Sequence, residues 1–410
     1  MEKVLVLAGG FPQIALIKEL KNRGYYVILA DWNEEPVAKE YCDLYYKEST
    51  LDVDAIKSIA IKENVKFLIT VCTDQALLTV AKVSEELALP CYIDYQTALN
   101  VTNKQYMKEV FVKNNIPTAK HIILDEFEEE KINNFKYPLI TKPVDCNSSK
   151  GVKKAYNKEE LIKYFYEAKK LSRTNTAIIE EFIEGPEITV DVYVEDGKAH
   201  VLSTSNSEKI KDNDKFVIFR TLNPAFPDVV KKIEVVAQQI ADAFNINNSP
   251  MLIQLLTDGT NVFVIEFSAR TGGGVKYLLI KEVSGFDVIN AVIDLTLGAR
   301  PKLNIKNRNF KYLSNEFIYC KPGIFSHLEG FDKLKEDGYI TNFYLFKKEG
   351  AIFETIANSG DRIAGFTIIG NSKEEMLEKH RYVNNNFKVI DILGNDIARH
   401  DLLVDLEFVE

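Results

Sequence analysis

Within its first 71 residues the chain alternates short apolar runs with amphipathic ones: VLVLA, FPQIALIKELKNRG, YYVILAD, DVDAIKSIAIKENV and KFLITV. That pattern reads as βαβαβ, and strands joined through helices pair in parallel with right-handed crossovers. A doubly wound α/β unit over residues 1–95 follows. Gly9-Gly10 after the first strand and Asp31 after the second have the chemistry of a dinucleotide fingerprint, since glycine lets a phosphate approach and an acid can hold a ribose. Phe11, Pro12 and Gln13, however, stand where GxGxxG needs further glycines. The competing expectation is a Gly-Gly turn that faces a neighbouring substrate site.

Units of roughly 100–200 residues divide a 410-residue chain into two to four, and the pattern favours three. Apolar residues at 46% and charged residues at 27% suit folded domains rather than disorder. MEKVLVLA reads as a strand and not a signal peptide, and no apolar run approaches the roughly 20 residues that span a bilayer. The five cysteines, Cys42, Cys72, Cys91, Cys146 and Cys320, lack CxxC spacing and are odd in number, which argues against disulfides or a zinc site and for a reducing cytoplasm. A net charge of −9 opposes nucleic-acid binding, which needs clustered Lys and Arg.

Around Tyr95 the pattern changes. TALNVTNKQYMKEVFVKNN has a period near 3.6, and Ile116-Pro117 stops the helix. The second unit, 96–300, contains a small α+β piece at about 136–182 built from PLITKP, a polar loop, GVKKAY, the helix NKEELIKYFYEAKKL and the strand TAIIEEF. Long alternating strands then run from Glu187 to Arg270 around the helix DVVKKIEVVAQQIADAF. The third unit, 301–410, carries YCKPGIF, NFYLFKKEG and GDRIAGFTIIG as short strands before the helix SKEEMLEKHRYVNNNF, an α+β arrangement.

Three segments carry chemistry. In YPLITKPVDCNSSKGV a strand delivers Lys142 to its end, and the D-C-N-S-S-K-G loop offers amides and hydroxyls to phosphates; taken alone it is an ordinary polar hairpin. AIIEEFIEGPEITVD leaves a strand through Glu180, Glu181, Phe182 and Ile183, where a free strand end suits the edge of an adenine, and Glu187 is placed to accept from ribose hydroxyls. In MLIQLLTDGTNVFVIEFSARTGGG, strand alternation puts Glu266, Ser268 and Arg270 on one face and Phe267 and Ala269 on the other. A three- or five-residue turn at Asp258-Gly259 would bring Gln254 to the face of Glu266, whereas a two-residue turn would oppose them. Magnesium wants oxygen ligands and commonly takes one or two carboxylates, a role that fits Glu266.

These segments, in this order, resemble the ATP-grasp superfamily, which includes biotin carboxylase, carbamoyl phosphate synthetase and the L-amino acid ligases. The resemblance implies an ATP-grasp fold between an N-terminal doubly wound α/β domain and a C-terminal α+β domain, with ATP and Mg2+ as cofactors. It makes Lys104 and Lys142 the nucleotide lysines, Asp145 to Gly151, with Ser148 and Ser149, the mobile loop, Glu180, Glu181, Phe182 and Ile183 the adenine hinge, and Glu187 the ribose carboxylate. Glu266 becomes the second metal carboxylate, Arg270 the reaction-centre arginine, and Gly272, Gly273 and Gly274 the acceptor loop. Gln254 replaces the usual first metal carboxylate and Ser268 an asparagine, and both still offer an oxygen. RTGGG and SGDRIAGFTIIGNSKEEM look most like the L-amino acid ligases.

The implied activity is a cytoplasmic, magnesium- and ATP-dependent ligase that activates a carboxylate as an acylphosphate and passes it to an amine. Lys142 and Arg270 are the catalytic candidates, small-molecule acids and amines the partners, and a homodimer the candidate assembly. Nucleic acid and membrane are not expected partners. Two alternatives stand beside it: a biotin-carboxylase-like enzyme that activates bicarbonate, and a nucleotide-binding regulatory protein whose metal site is weakened at Gln254.

Overall fold

Four strands, Leu44–Lys47, Tyr26–Asp31, Lys3–Leu7 and Leu68–Ile69, lie side by side in that order, all parallel. The computed structural model that shows them describes residues 1–146, 150–211, 216–306, 308–404, 406 and 408. Leu44–Lys47 is one strand more than the apolar periodicity indicates, because this short edge strand buries none of its residues fully. The Gly-Gly turn resolves the fingerprint question. The amide of Gly9 donates to Asp31 Oδ2 at 2.7 Å and that of Asn33 to Oδ1 at 2.7 Å, so the acid is engaged in fixing its own turn. A Cβ on Gly9 would lie 2.5 Å from Pro36 Cβ, so the glycine is needed for close packing.

The single helix that the sequence suggests after Tyr95 is two, Tyr95–Thr102 and Lys104–Lys113. Asn103 breaks them with an extended backbone (φ −95°, ψ 105°), and its side chain accepts from the amide of Tyr106 at 3.1 Å, capping the second helix. The break makes Lys104 the first residue of a new helix, close to the site.

The large sheet has eight strands in the order Val262–Ser268, Ser249–Thr257, Glu187–Glu195, Lys198–Lys209, Ile218–Asn223, Tyr312–Ile318, Ala364–Gly370 and Asn342–Leu345. One face, with Ile188, Val190, Val192, Met251, Ile253 and Leu255, buries against the helix Val230–Ala243 and the helices around Asn103. The opposite face presents Glu187, Thr189 and Gln254. The sheet runs unbroken across residue 301, because Tyr312–Ile318 pairs with Ile218–Asn223. The sequence pattern hid that strand: its middle residues Ser314, Asn315 and Glu316 are polar yet at most 2% exposed. They are matched from neighbouring elements. Arg220 Nε donates to Glu316 Oε1 at 2.8 Å, and Ser314 Oγ meets His380 Nε2 at 2.8 Å.

A small antiparallel sheet stands apart, in the order His121–Leu124, Ala177–Glu181, Leu139–Pro143 and Lys153–Ala155, with the helix Lys158–Leu171 packed on it. It takes in His121–Leu124, upstream of the position near 136 where the sequence places the start of this piece. No helix among the described residues is long and apolar enough to cross a membrane.

Candidate active site

Gln254 and Glu266 stand directly opposite each other on neighbouring strands, but not by the turn lengths considered from sequence. Thr257 pairs with Val262, so the turn has four residues, 258–261, and by itself sets the wrong parity. The register shifts at Ile265, where Leu255 faces Val264 and Gln254 faces Glu266. This bulge re-aims the strand: Val262 and Val264 point into the core before it, Phe267 and Ala269 after it. Without the extra residue Glu266 would continue the parity of Val264 and point into the core.

Two cavities meet at this pair, since Gln254 and Glu266 line both. The first, of about 290 Å³, lies between the small sheet and the large one, and the hinge residues Glu180, Glu181, Phe182 and Ile183 line it with Lys104, Lys142 and Glu187. Most of its charges arrive paired. Lys104 Nζ lies 2.9 Å from Glu266 Oε2 and donates to the carbonyl of Cys146 at 2.9 Å. Lys142 Nζ is 2.7 Å from Glu180 Oε2, Gln254 Nε2 donates to Glu187 Oε1 at 2.9 Å, and Lys209 Nζ lies 2.6 Å from Glu187 Oε2.

A lysine that the motifs did not single out completes the set. Lys108, only 1% exposed, reaches Glu180 Oε1 at 2.7 Å and Thr118 Oγ1 at 2.6 Å. Its position four residues after Lys104 on one helix face is the signal that was available. Burial drives the Lys108 ammonium down to about 8 even though Glu180 opposes the shift. Burial raises Glu180, but Lys108 and Lys142 on either side outweigh it and hold the carboxyl at about 2. For Glu266 burial likewise works upward, and the charge of Lys104 brings the net shift below the ordinary carboxylate range.

The hinge and loop residues divide in role. Phe182 carries Lys154 Nζ 3.5 Å above its ring, and Glu181 Oε1 accepts from the amide of Lys136 at 3.2 Å. Gly151 (φ +76°) does not line the cavity; a Cβ there would meet Leu171 Cδ1 at 2.7 Å, so it serves packing under the loop. Ser148 and Ser149 lie outside the described residues.

The second cavity, of about 570 Å³, lies between the N-terminal unit and the large sheet, and Arg270, Gly272, Gly273 and Gly274 line it along with Gly10. So the Gly-Gly turn does face a neighbouring cavity. Arg270 is held by Asp74, an N-terminal residue with no motif to announce it: Nε donates to Oδ1 at 2.7 Å, and Nη2 is paired with Oδ2. Ser268 Oγ donates to the same carboxylate at 2.6 Å and lines neither cavity, so its expected place among the metal ligands is corrected. Burial opposes ionisation of both Asp74 and Arg270, but each stabilises the other and the pair stays charged. Gly272 is required because the Lys276 stem crosses it, with Cγ 2.8 Å from any Cβ placed there.

For a divalent cation the remaining donors are the Glu266 carboxylate and the carbonyl end of the Gln254 amide, whose NH2 end is bound to Glu187. No cluster of three His, Cys, Asp or Glu residues among the described residues could hold a metal alone. One carboxylate and one amide fit magnesium that takes its other ligands from phosphates and water.

Residues 135–277 match the ATP-grasp domain, within a mixed α/β multidomain fold. Over 331 residues the chain is 26% identical to the carbamoyl phosphate synthase large chain of Clostridium acetobutylicum, covering 74% of this chain and 30% of that protein. The chain thus spans less than a third of that relative's length. The L-amino acid ligase structure from Bacillus licheniformis superposes with a TM-score of 0.79 at 20% identity, over 95% of this chain and 99% of that one. The biotin carboxylase domain dimer of Hydrogenobacter thermophilus 2-oxoglutarate carboxylase, in complex with MgADP, ADP and bicarbonate, gives 0.79 at 17% identity, over 98% and 93%.

Proposed function

We propose that the chain is an ATP-dependent, ADP-forming ligase that activates a carboxylate as an acylphosphate and joins it to an amine. The observation that carries this is the meeting of two cavities at Gln254 and Glu266, with Lys104 on one side and Arg270 on the other. A carboxylate is a poor electrophile because its leaving group is oxide, and phosphorylation supplies a better one. That transfer depends on positioning and charge neutralisation more than on covalent help from the protein.

In this reading the hinge from Glu180 to Ile183 holds adenine, Glu187 the ribose, and Lys104 and Lys142 the phosphates. Glu266 and the Gln254 carbonyl hold magnesium, which when bound neutralises polyphosphate charge. Arg270, fixed by Asp74, binds the carboxylate and steadies the oxyanion formed when the amine attacks. The small sheet, with the segment 136–182, acts as a lid that excludes water from the acylphosphate. The division into units at 1–95, 96–300 and 301–410 belongs to this proposal, with the eight-stranded sheet joining the last two.

ADP and phosphate release from MgATP, assayed with pooled amino acids, tests it. Release that needs both an acid and an amine supports the ligase. Release on addition of bicarbonate alone moves the chain to the carboxylase-like alternative, and nucleotide binding with no turnover under any condition favours the regulatory one.

A further inference from the structure

The ligase chemistry leaves one buried ion pair of the second cavity unused. Lys276, the first residue of the helix Lys276–Ser284, lines that cavity and is 8% exposed, with its stem lying back over Gly272. Its Nζ is 3.4 Å from Asp191 Oδ2. Asp191, 1% exposed, sits in the strand Glu187–Glu195 two residues beyond Thr189, which stands opposite Gln254. Strand alternation therefore puts it on the face that carries Glu187 and Thr189.

The pair is joined loosely. Lys108 and Lys142 close on Glu180 at 2.7 Å and Arg220 on Glu316 at 2.8 Å, whereas among the described residues neither Lys276 Nζ nor Asp191 Oδ2 makes a hydrogen bond. A buried pair kept for stability saturates its donors and acceptors. Burial raises the Asp191 carboxyl above its ordinary range, and the charge of Lys276 offsets only part of that. Such a carboxylate takes up a proton more readily than an exposed one. The two acids that line the cavity are engaged elsewhere: Asp74 receives Arg270 and Ser268, and Glu266 pairs with Lys104. Arg270 and Arg362 line it too, but an arginine does not give up a proton.

We infer that Lys276 deprotonates the acceptor amine and that Asp191 receives the proton through it. This rests on the ligase reading of the same site and deepens it. Near neutral pH an amine is an ammonium, with no lone pair for attack. As Lys276 takes a proton from it, Lys276 hands one of its own to Asp191 Oδ2 and so remains an ammonium. The freed nitrogen bonds to the acyl carbon, the bond from that carbon to the phosphate oxygen breaks, and phosphate leaves with the electron pair and with the second proton that the nitrogen sheds. Asp191 returns its proton to water after the product departs.

A nucleophile that is already neutral needs no base. Hydroxylamine is neutral near neutral pH and traps acylphosphates as hydroxamates, so the full chain is assayed with MgATP and pooled L-amino acids, phosphate release being measured without hydroxylamine and hydroxamate with it. Wild type should give both products. Lys276→Met and Asp191→Asn should lower phosphate release on the order of 10²-fold, the lower end of what a positioned base contributes, and hydroxamate formation no more than a few-fold. Lys276→Arg keeps the charge but cannot pass a proton on, so it should match Lys276→Met. MgADP binding by calorimetry, at a cavity that Lys276 does not line, checks folding. If a single variant fails to fold, Lys276→Met combined with Asp191→Asn leaves no unpaired buried charge and carries the same expectation. Full activity in Lys276→Arg, or phosphate release and hydroxamate falling together, would overturn the proposal. Wild type that yields neither product would strike the ligase reading, and this inference with it.

Discussion

The two cavities share a wall and differ in how their charges are balanced. Four of the five lysines that line the first cavity already have a carboxylate, the exception being Lys150: Lys104 has Glu266, Lys108 and Lys142 share Glu180, and Lys209 has Glu187. These paired side chains are therefore held in place before a ligand arrives, and in the proposed reading a polyphosphate would meet fixed dipoles. The second cavity has two such pairs among its lining cations, Arg270 with Asp74 and Lys276 with Asp191 at 3.4 Å, and beside them Lys347 and Arg362, which form no ion pair among the described residues.

The largest effect should come from breaking the first arrangement. Lys142→Ala removes one of two cations around Glu180, and ADP release should fall on the order of 10²–10³-fold, the loss seen when one preorganised donor is removed. Nucleotide affinity should fall with it. Unchanged kinetics would mean that the pairing is only structural.

Arg270→Ala probes the shared wall. Turnover should drop about 10²-fold while MgATP affinity holds, as for an interaction strongest in the transition state. Asp74→Asn should give a smaller loss of the same kind, because the guanidinium stays but is no longer fixed. A fall in ATP affinity with turnover intact would move Arg270 into the nucleotide cavity.

Gln254→Glu sharpens the comparison where the cavities meet. The new carboxylate would face Glu266 across the strands and lose the bond that Gln254 donates to Glu187 at 2.9 Å. The protein without metal should therefore be less stable, and the magnesium concentration for half-maximal activity should fall a few-fold, on the reasoning that a carboxylate binds this cation better than an amide. A magnesium titration of both proteins at fixed ATP decides it, and an unchanged midpoint would place residue 254 outside the metal site.

The smallest effect concerns pH. With its ammonium near 8, Lys108 is charged below that pH and neutral above it. Below the step the Lys108, Glu180 and Lys142 group carries a net positive charge, and above it none, so ATP affinity should weaken a few-fold as pH rises through about 8. Lys108→Arg, which keeps its charge across that range, should flatten the profile. Affinity measured between pH 7 and 9.5 checks this, and a step that persists in the variant would exclude Lys108 as its source.

Much of the nucleotide cavity was legible because its residues fall in short contiguous segments, TKP, EEFI and the strand around Glu266, that all point to one chemistry. Asp74 and Lys108 were not, since each looks in sequence like an ordinary polar residue of a helix. The face of Glu266 was anticipated by the wrong device, as the bulge at Ile265 corrects a turn of even length. Likewise the period near 3.6 after Tyr95 ran through Asn103, because the two helices it separates keep similar apolar spacing.

The sequence by itself determined the βαβαβ order of the N-terminal unit, the parallel pairing of its strands and the residue types that can meet a nucleotide, since local periodicity and side-chain chemistry do not depend on distant partners. Only the tertiary structure decided which charges neutralise one another. Asp74 and Arg270 are 196 residues apart, and Arg220 and Glu316 are 96 apart. A buried charge is tolerated only where its partner arrives, and strand pairing across the whole chain sets that place. By the same logic Asp191 and Lys276, in sequence an ordinary acid of a strand and an ordinary lysine of a helix, became visible as a candidate proton-transfer pair only once the fold was in view.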